Sequence, residues 1–307
     1  MSSRRTKAYI LLLATAVIWG LATSVIKFTL TEISPFSFLA YRFFISGTIA
    51  LFLVLVGKVK LPKKKSDLVG IFAVGVVGNT MALGLLFVGL AQTTVLDTSI
   101  IEALAPLLIG AMGVGLLHDR VTRKEKLGIF VALVGTLITI IGPLSDGGTN
   151  GFSAKERSMG NLIILMFVMA DAASFVMTKK LTQRKIKPDA ISNLGFVVAF
   201  ITTLPIVLLT QGWDNFWREI TRLSLAHHLG VLYMAVISGT LAYWFWTKGQ
   251  KSIEVSEAAV FRYLIPVFAT PLAIFWIGEK LTFHFIVGAS VIFLGVWLAE
   301  HKRARKL

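Results

Sequence analysis

Apolar runs long enough to cross a bilayer, separated by short basic clusters, recur along the whole of this chain and leave it little choice of fold. Ten can be drawn, at roughly 8–30, 35–57, 68–91, 94–118, 125–143, 160–181, 190–210, 228–249, 254–277 and 281–300. With 55% hydrophobic and 15% charged residues and a mean hydropathy of +0.77, 307 residues cannot give a soluble domain a normal surface. The pattern predicts an all-α integral membrane protein of ten transmembrane helices. Ala14-Thr15-Ala16 could pass for a signal-peptidase site, but cleavage there would leave an unusually short apolar region, so the first run is read as a retained span.

Basic residues set the orientation, because Lys- and Arg-rich loops stay cytoplasmic. With the N-terminus inside, 23 of the 31 Lys and Arg residues fall on the cytoplasmic side and five on the other. Only an even number of spans preserves this bias. Both termini are therefore expected in the cytoplasm, the last as a basic tail, in a multi-pass cytoplasmic (inner) membrane protein.

The chain repeats itself. Pro106 and Pro266, Asp119 and Glu279, Arg120 and Lys280, Thr122 and Thr282, Gly128 and Gly288, and Gly135 and Gly295 each stand 160 positions apart. The order of these residues carries more weight than their identity in so apolar a sequence. A first repeat is expected over 1–143, an extracytoplasmic Gly-rich linker over 144–157, and a second repeat over 158–307. Five is odd, so the second five-helix repeat enters the membrane inverted, the architecture that places substrate near the midplane between halves. Residues 211–223 put Trp213, Phe216, Trp217, Ile220 and Leu223 on one helical face, which predicts an interfacial helix with its aromatics among the lipid headgroups.

Several polar residues have structural readings. Thr122 with Glu125 is a capping box. Asp97 and Glu257 fall in first helical turns, where the dipole favours an acid. Lys27 lies close enough to a span end to snorkel. Gly128, Gly135 and Gly142, with Gly288 and Gly295, form seams for close packing within the chain or between two copies in a homodimer. Pro106 and Pro266 are expected to kink their helices.

Charges within the spans are more informative, since each needs a partner or a watery cavity. Glu102 precedes Pro106 by four residues and Arg262 precedes Pro266 by four. Inversion puts Glu102 about 6 Å to the outer side of the midplane and Arg262 about 6 Å to the inner side. Arg42, at the depth of Glu102, is expected to be its better partner, and Asp171 has no evident cation at its level. One reading makes Arg42 and Glu102 a buried ion pair that fixes helix positions. The other has them line an aqueous cavity, with Arg42 or Arg262 holding a carboxylate or phosphate and Glu102 or Asp171 an amine or a proton. A carboxyl group removed from water favours its protonated form, as proton coupling requires. Trp19 with Tyr243, Trp244, Trp246 and Tyr263 could floor such a cavity, and Asn79 either faces it or bonds a neighbouring helix.

Other functions are excluded by what is missing. The net charge of +15 is dispersed in short clusters between apolar runs, which argues against nucleic acid. There are no cysteines, and the five histidines lie at span ends or in loops, so neither a metal site nor a cofactor is expected. The chain carries no G-x-x-x-x-G-K-[ST] loop and the spans hold no HExxH, Cys or His-Ser arrangement, so it is read as neither an ATPase nor an intramembrane enzyme.

Trp19-Gly20, Arg42-Phe43, Ala103-Leu104-Ala105-Pro106, Pro266 with Pro271, and Gly278-Glu279-Lys280-Leu281-Thr282 are together similar to the EamA-type members of the drug/metabolite transporter (DMT) superfamily. The first copy departs from the usual Gly-Glu by carrying His118-Asp119. The resemblance covers about 8–300. It implies spans one to four and six to nine around a central cavity, five and ten outside it, and metabolite efflux, often of amino acids. The expectation is a secondary transporter that exports small organic solutes by rocking one repeat against the other, surrounded by membrane lipid and coupled to a proton or counter-substrate. The alternative is a nucleotide-sugar or phosphosugar exchanger of the same superfamily, which would use Lys27, Arg42 and Arg262 as cavity cations.

Overall fold

Backbone groups in hydrocarbon find no water and must bond within helices. The computed structural model accordingly shows almost nothing but helix, with no strand, over the residues it describes, 3–117, 123–145, 150–250 and 261–300. In chain order these are α1 (Ser3–Thr29), α2 (Pro35–Leu55), α3 (Lys65–Gln92), α4 (Val95–Glu102), α5 (Ala105–Leu117), α6 (Arg123–Ser145), α7 (Ala154–Gln183), α8 (Pro188–Thr210) and α9 (Trp213–Arg222). Then come α10, which starts at Leu225 and closes with Ala242–Gln250, α11 (Ile265–Phe275) and α12 (Phe283–Glu300). Pro35 and Pro188 open α2 and α8 at positions where the missing N–H would have had no partner.

Among the described residues eight stretches are long and apolar enough to cross a membrane: α1, α2, α3, α4 with α5, α6, α7, α8 and α10. The last two apolar runs are shorter in their described parts, Phe261–Phe275 and Phe283–Ala299. Residues 251–260, at the start of the first of them, lie outside the described residues, as do Asp119, Thr122 and Glu257.

Two kinds of helix irregularity occur twice. α3 widens to a π-helix over Gly75–Ala82, and α10 does so over Tyr233–Leu241. The α4–α5 helix breaks at Ala103 and Leu104, just before Pro106, and a 3₁₀ turn over Phe261–Leu264 enters α11 just before Pro266. A proline supplies no N–H to the carbonyl four residues earlier and its ring crowds that carbonyl. The residues so affected are Glu102 and Arg262.

The glycine seam lies within the chain. α6 and α12 pack along each other so closely that a Cβ on Gly128 would stand 2.5 Å from the Gly295 carbonyl oxygen, and one on Gly135 would stand 2.7 Å from the Ile292 nitrogen. Gly142 meets His284 and Gly288 meets Thr139 in the same way. Glycines give backbones this approach and its dispersion contacts.

The amphipathic helix divides its apolar face between protein and surroundings. In α9, Phe216 is buried against Ala40 and Val207, while Trp213 and Trp217 stack on each other and remain exposed. Of the face expected among the lipid headgroups, those two tryptophans are the part left exposed, because the chain itself covers much of the rest.

Gly135→Ala should lower the melting midpoint in detergent, with a cost of roughly 1–3 kcal/mol from forcing two backbones apart. Gly110→Ala, where an added methyl meets open space, should leave it nearly unchanged.

Candidate substrate cavity

Most of the polar residues expected near the membrane centre converge on one cavity of about 230 Å³. Trp19, Arg42, Asn79, Glu102, Asp171, Tyr243 and Arg262 all line it. Its wall continues to Lys179, Thr182 and Pro188, where α7 ends and α8 begins. That end also holds the start of α3, since Ile71 and Val74 pack with Leu181, Ile186 and Ile191. The cavity thus runs from the charged helix breaks toward the face that carries the basic loops.

The charges pair differently from the sequence expectation. Arg262 donates from Nη2 to Oδ2 of Asp171 at 2.7 Å, so Asp171 does have a cation at its level. Depth reckoned along an unbroken helix fails here because the 3₁₀ turn before Pro266 changes both rise and direction. Arg42 and Glu102 do not form an ion pair. Among the described residues no hydrogen bond or salt bridge reaches Glu102, and the Arg42 guanidinium, with its Nε unbonded and buried, lies against the rings of Phe43 and Phe87. One acid and one base therefore face the same cavity with their principal valences open.

An aromatic wall completes it. The Trp19 indole donates from Nε1 to the carbonyl oxygen of Ser238 at 3.2 Å. Ser238 belongs to the π segment of α10, where the wider helical turn alters the backbone pairing. Trp19 meets Tyr243 edge-on at 5.5 Å and Trp246 at 5.4 Å, and Tyr243 is edge-on to Phe196. Asn79 lies in the π segment of α3 close to Gly195. Two expected aromatics are not in the wall. Tyr263 follows Arg262 in a turn whose successive side chains diverge by a third of a circle, and Trp244 points outward with Lys248 over its ring at 3.7 Å. Phe175, Ser174 and Thr178 line the cavity and carry no sequence signal that separates them from packing residues.

The opposite end is closed by polar groups that are buried, apart from the half-buried Lys27. Lys27 does not snorkel: its Nζ donates to the carbonyl oxygens of Leu90 at 2.7 Å and Thr93 at 2.6 Å, and lies over the Phe152 ring. Glu279 accepts the backbone N–H groups of Val95 at 2.7 Å and Leu96 at 2.9 Å. Burial pushes its carboxyl up to about 6, against the pull of those two donors and Lys27. Thr94 is the side-chain cap of α4, through the Asp97 N–H. The Asp97 carboxylate is engaged by Arg157 at 2.7 and 3.0 Å and by Asn161 at 3.1 Å, and so does more than complement a dipole.

Asp171→Asn should leave Arg262 uncompensated and cost roughly 2 kcal/mol of stability, less than the roughly 3–5 of a fully buried pair. Removing both charges, in Asp171→Asn with Arg262→Gln, should restore much of the loss. Thermal melting of the purified variants checks both.

Comparison with known proteins adds the following. Residues 6–141 and 158–300 each match the model of the EamA-like transporter family. The chain is 26% identical to the "Uncharacterized transporter YyaM" of Bacillus subtilis, over 95% of this chain and 93% of that one. It is also 26% identical to a "Probable amino-acid metabolite efflux pump" of Salmonella typhimurium, over 94% and 93%. A solved crystal structure at 18% identity shares the fold with a TM-score of 0.65, covering 98% of this chain and 99% of the other.

Proposed function

This chain belongs to the EamA-like transporter family, the EamA type of the drug/metabolite transporter superfamily, and on that premise we propose that it exports small amphipathic metabolites, amino acids or close relatives, by alternating access. It is a multi-pass membrane transporter of small-molecule solutes and not an enzyme. The finer reading rests on the cavity. An open guanidinium, Arg42, and an open carboxyl, Glu102, share it with the rings of Trp19, Tyr243 and Trp246. A zwitterion with an apolar side chain suits that set: its carboxylate meets Arg42, its ammonium meets Glu102 and its side chain meets the rings.

The same geometry allows Glu102 to hold a proton when no ammonium is present, so that proton and solute compete for one group. The exchanger alternative needs several free cations, and two of its three are engaged: Lys27 by carbonyls and Arg262 by Asp171. The relatives named as amino-acid metabolite efflux pumps favour the amino-acid reading.

We also assign ten spans in two inverted five-helix repeats, 1–143 and 158–307, with 144–157 as the outer linker and both termini in the cytoplasm. The two family matches, the paired π segments and the paired breaks before Pro106 and Pro266 support that assignment. On it the cavity faces the cytoplasm, as an exporter needs to load.

Counterflow in proteoliposomes tests the substrate class. Labelled amino acids should accumulate in vesicles preloaded with the same compound, and Arg42→Gln or Glu102→Gln should each cut uptake by about ten- to a hundredfold, the value of one charged hydrogen bond or more. Flux of phosphorylated sugars with none of amino acids would overturn it.

A further inference from the structure

The α3–α4 turn at residues 92–94 leaves carbonyls at the end of one helix and N–H groups at the start of the next without intrahelical partners. Each set is met by a formal charge of the matching sign, drawn from a different part of the chain. Lys27 of α1 takes the carbonyls of Leu90 and Thr93. Glu279, in the connection between α11 and α12, takes the N–H groups of Val95 and Leu96. Thr93, Thr94, Asp97 and Asn161 around them are fully buried, and Glu279 is 6% exposed. Lys179, Thr182 and Pro188 at the other end of the cavity are all partly open to solvent.

Beside this lies a second polar tie, between Asp97 of α4 and Arg157 and Asn161 of α7. It is anchored further by the Thr93 hydroxyl and by Asn161 donating to the Thr139 carbonyl at 2.8 Å. To part α4 from α7, several buried groups would have to lose partners together. Parting Glu279 from α4, where Val95 and Leu96 are buried too, releases only one carboxylate and two N–H groups, fewer bonds than the other tie holds. The Glu279 contact is therefore the one that can open and close repeatedly.

We propose that Glu279, with Lys27 as its counter-charge, is the latch that keeps the far end of the cavity shut, and that transport proceeds by swinging the α11–α12 connection away from α4. The Asp97–Arg157 tie stays made throughout, so the opening is local and the whole repeat need not separate. Glu279 and Lys27 are positioning residues in this account and touch no solute. The proposal rests on the carrier reading above for its purpose, but its test does not need a solute.

The absence of native cysteines makes a single introduced thiol the only one in the molecule. Ser174→Cys places it in the cavity wall. In this background a membrane-impermeant maleimide should label readily from the face of the basic loops and slowly from the opposite face, in oriented membrane vesicles. Adding Glu279→Gln should raise the far-face rate by about ten- to a hundredfold, and Glu279→Asp, which keeps the charge, should raise it less. Lys27→Met should act in the same direction and serves where Glu279→Gln does not reach the membrane. A far-face rate unchanged by Glu279→Gln or Lys27→Met in assembled protein would overturn the latch, including where flux is lost. A raised rate in protein that moves no amino acid would leave the latch intact and remove the substrate assignment instead.

Discussion

A charge taken out of water must find either a partner or a wet cavity, and the interior of this protein is arranged by which of the two each charge finds. Asp97 and Arg157 find each other, and Asp171 and Arg262 do the same. Lys27 and Glu279 find helix ends. Arg42 and Glu102 find no ion-pair partner among the described residues, and both open onto the cavity. In so apolar a chain an unpartnered charge points to a site that some other molecule completes.

Proline determines where two of these charges stand. By withholding an N–H and crowding the carbonyl four residues back, Pro106 ends α4 at Glu102, and Pro266 follows the 3₁₀ turn that holds Arg262. The interruption frees backbone and turns the side chain toward the cavity. The π segments of α3 and α10 have a related effect: they bring Asn79 to the wall and the Ser238 carbonyl to the Trp19 indole. Irregular backbone is tolerated at membrane depth only where it is buried in protein or lines a cavity, and both conditions are met here.

Much of this was legible in the residues. Helical class, the apolar spans, the shared cavity of Trp19, Arg42, Glu102, Asp171, Tyr243 and Arg262, and the close glycine seam all follow from spacing and from the cost of isolated charge. The pairings were not legible. Arg42 and Glu102 seem matched in depth only while helices are treated as unbroken rods, and Asp171 seems alone for the same reason. Lys27 reads as a snorkelling lysine because the sequence does not show that two carbonyls at the end of α3 come within its reach. The role of Glu279 depends on a contact across 184 residues, with Val95, that no local pattern encodes.

The contact of α6 with α12 has a mechanical consequence. Two rods whose main chains touch at Gly128, Gly135, Gly288 and Gly295 cannot slide lengthwise without lifting one set of knobs out of the other's sockets. They can still roll slightly about their common line. One rod closes each of the two stretches that match the family model, so that line joins the two halves of the chain. A rotation about that line would displace each group in proportion to its distance from it, so the glycines themselves would move least.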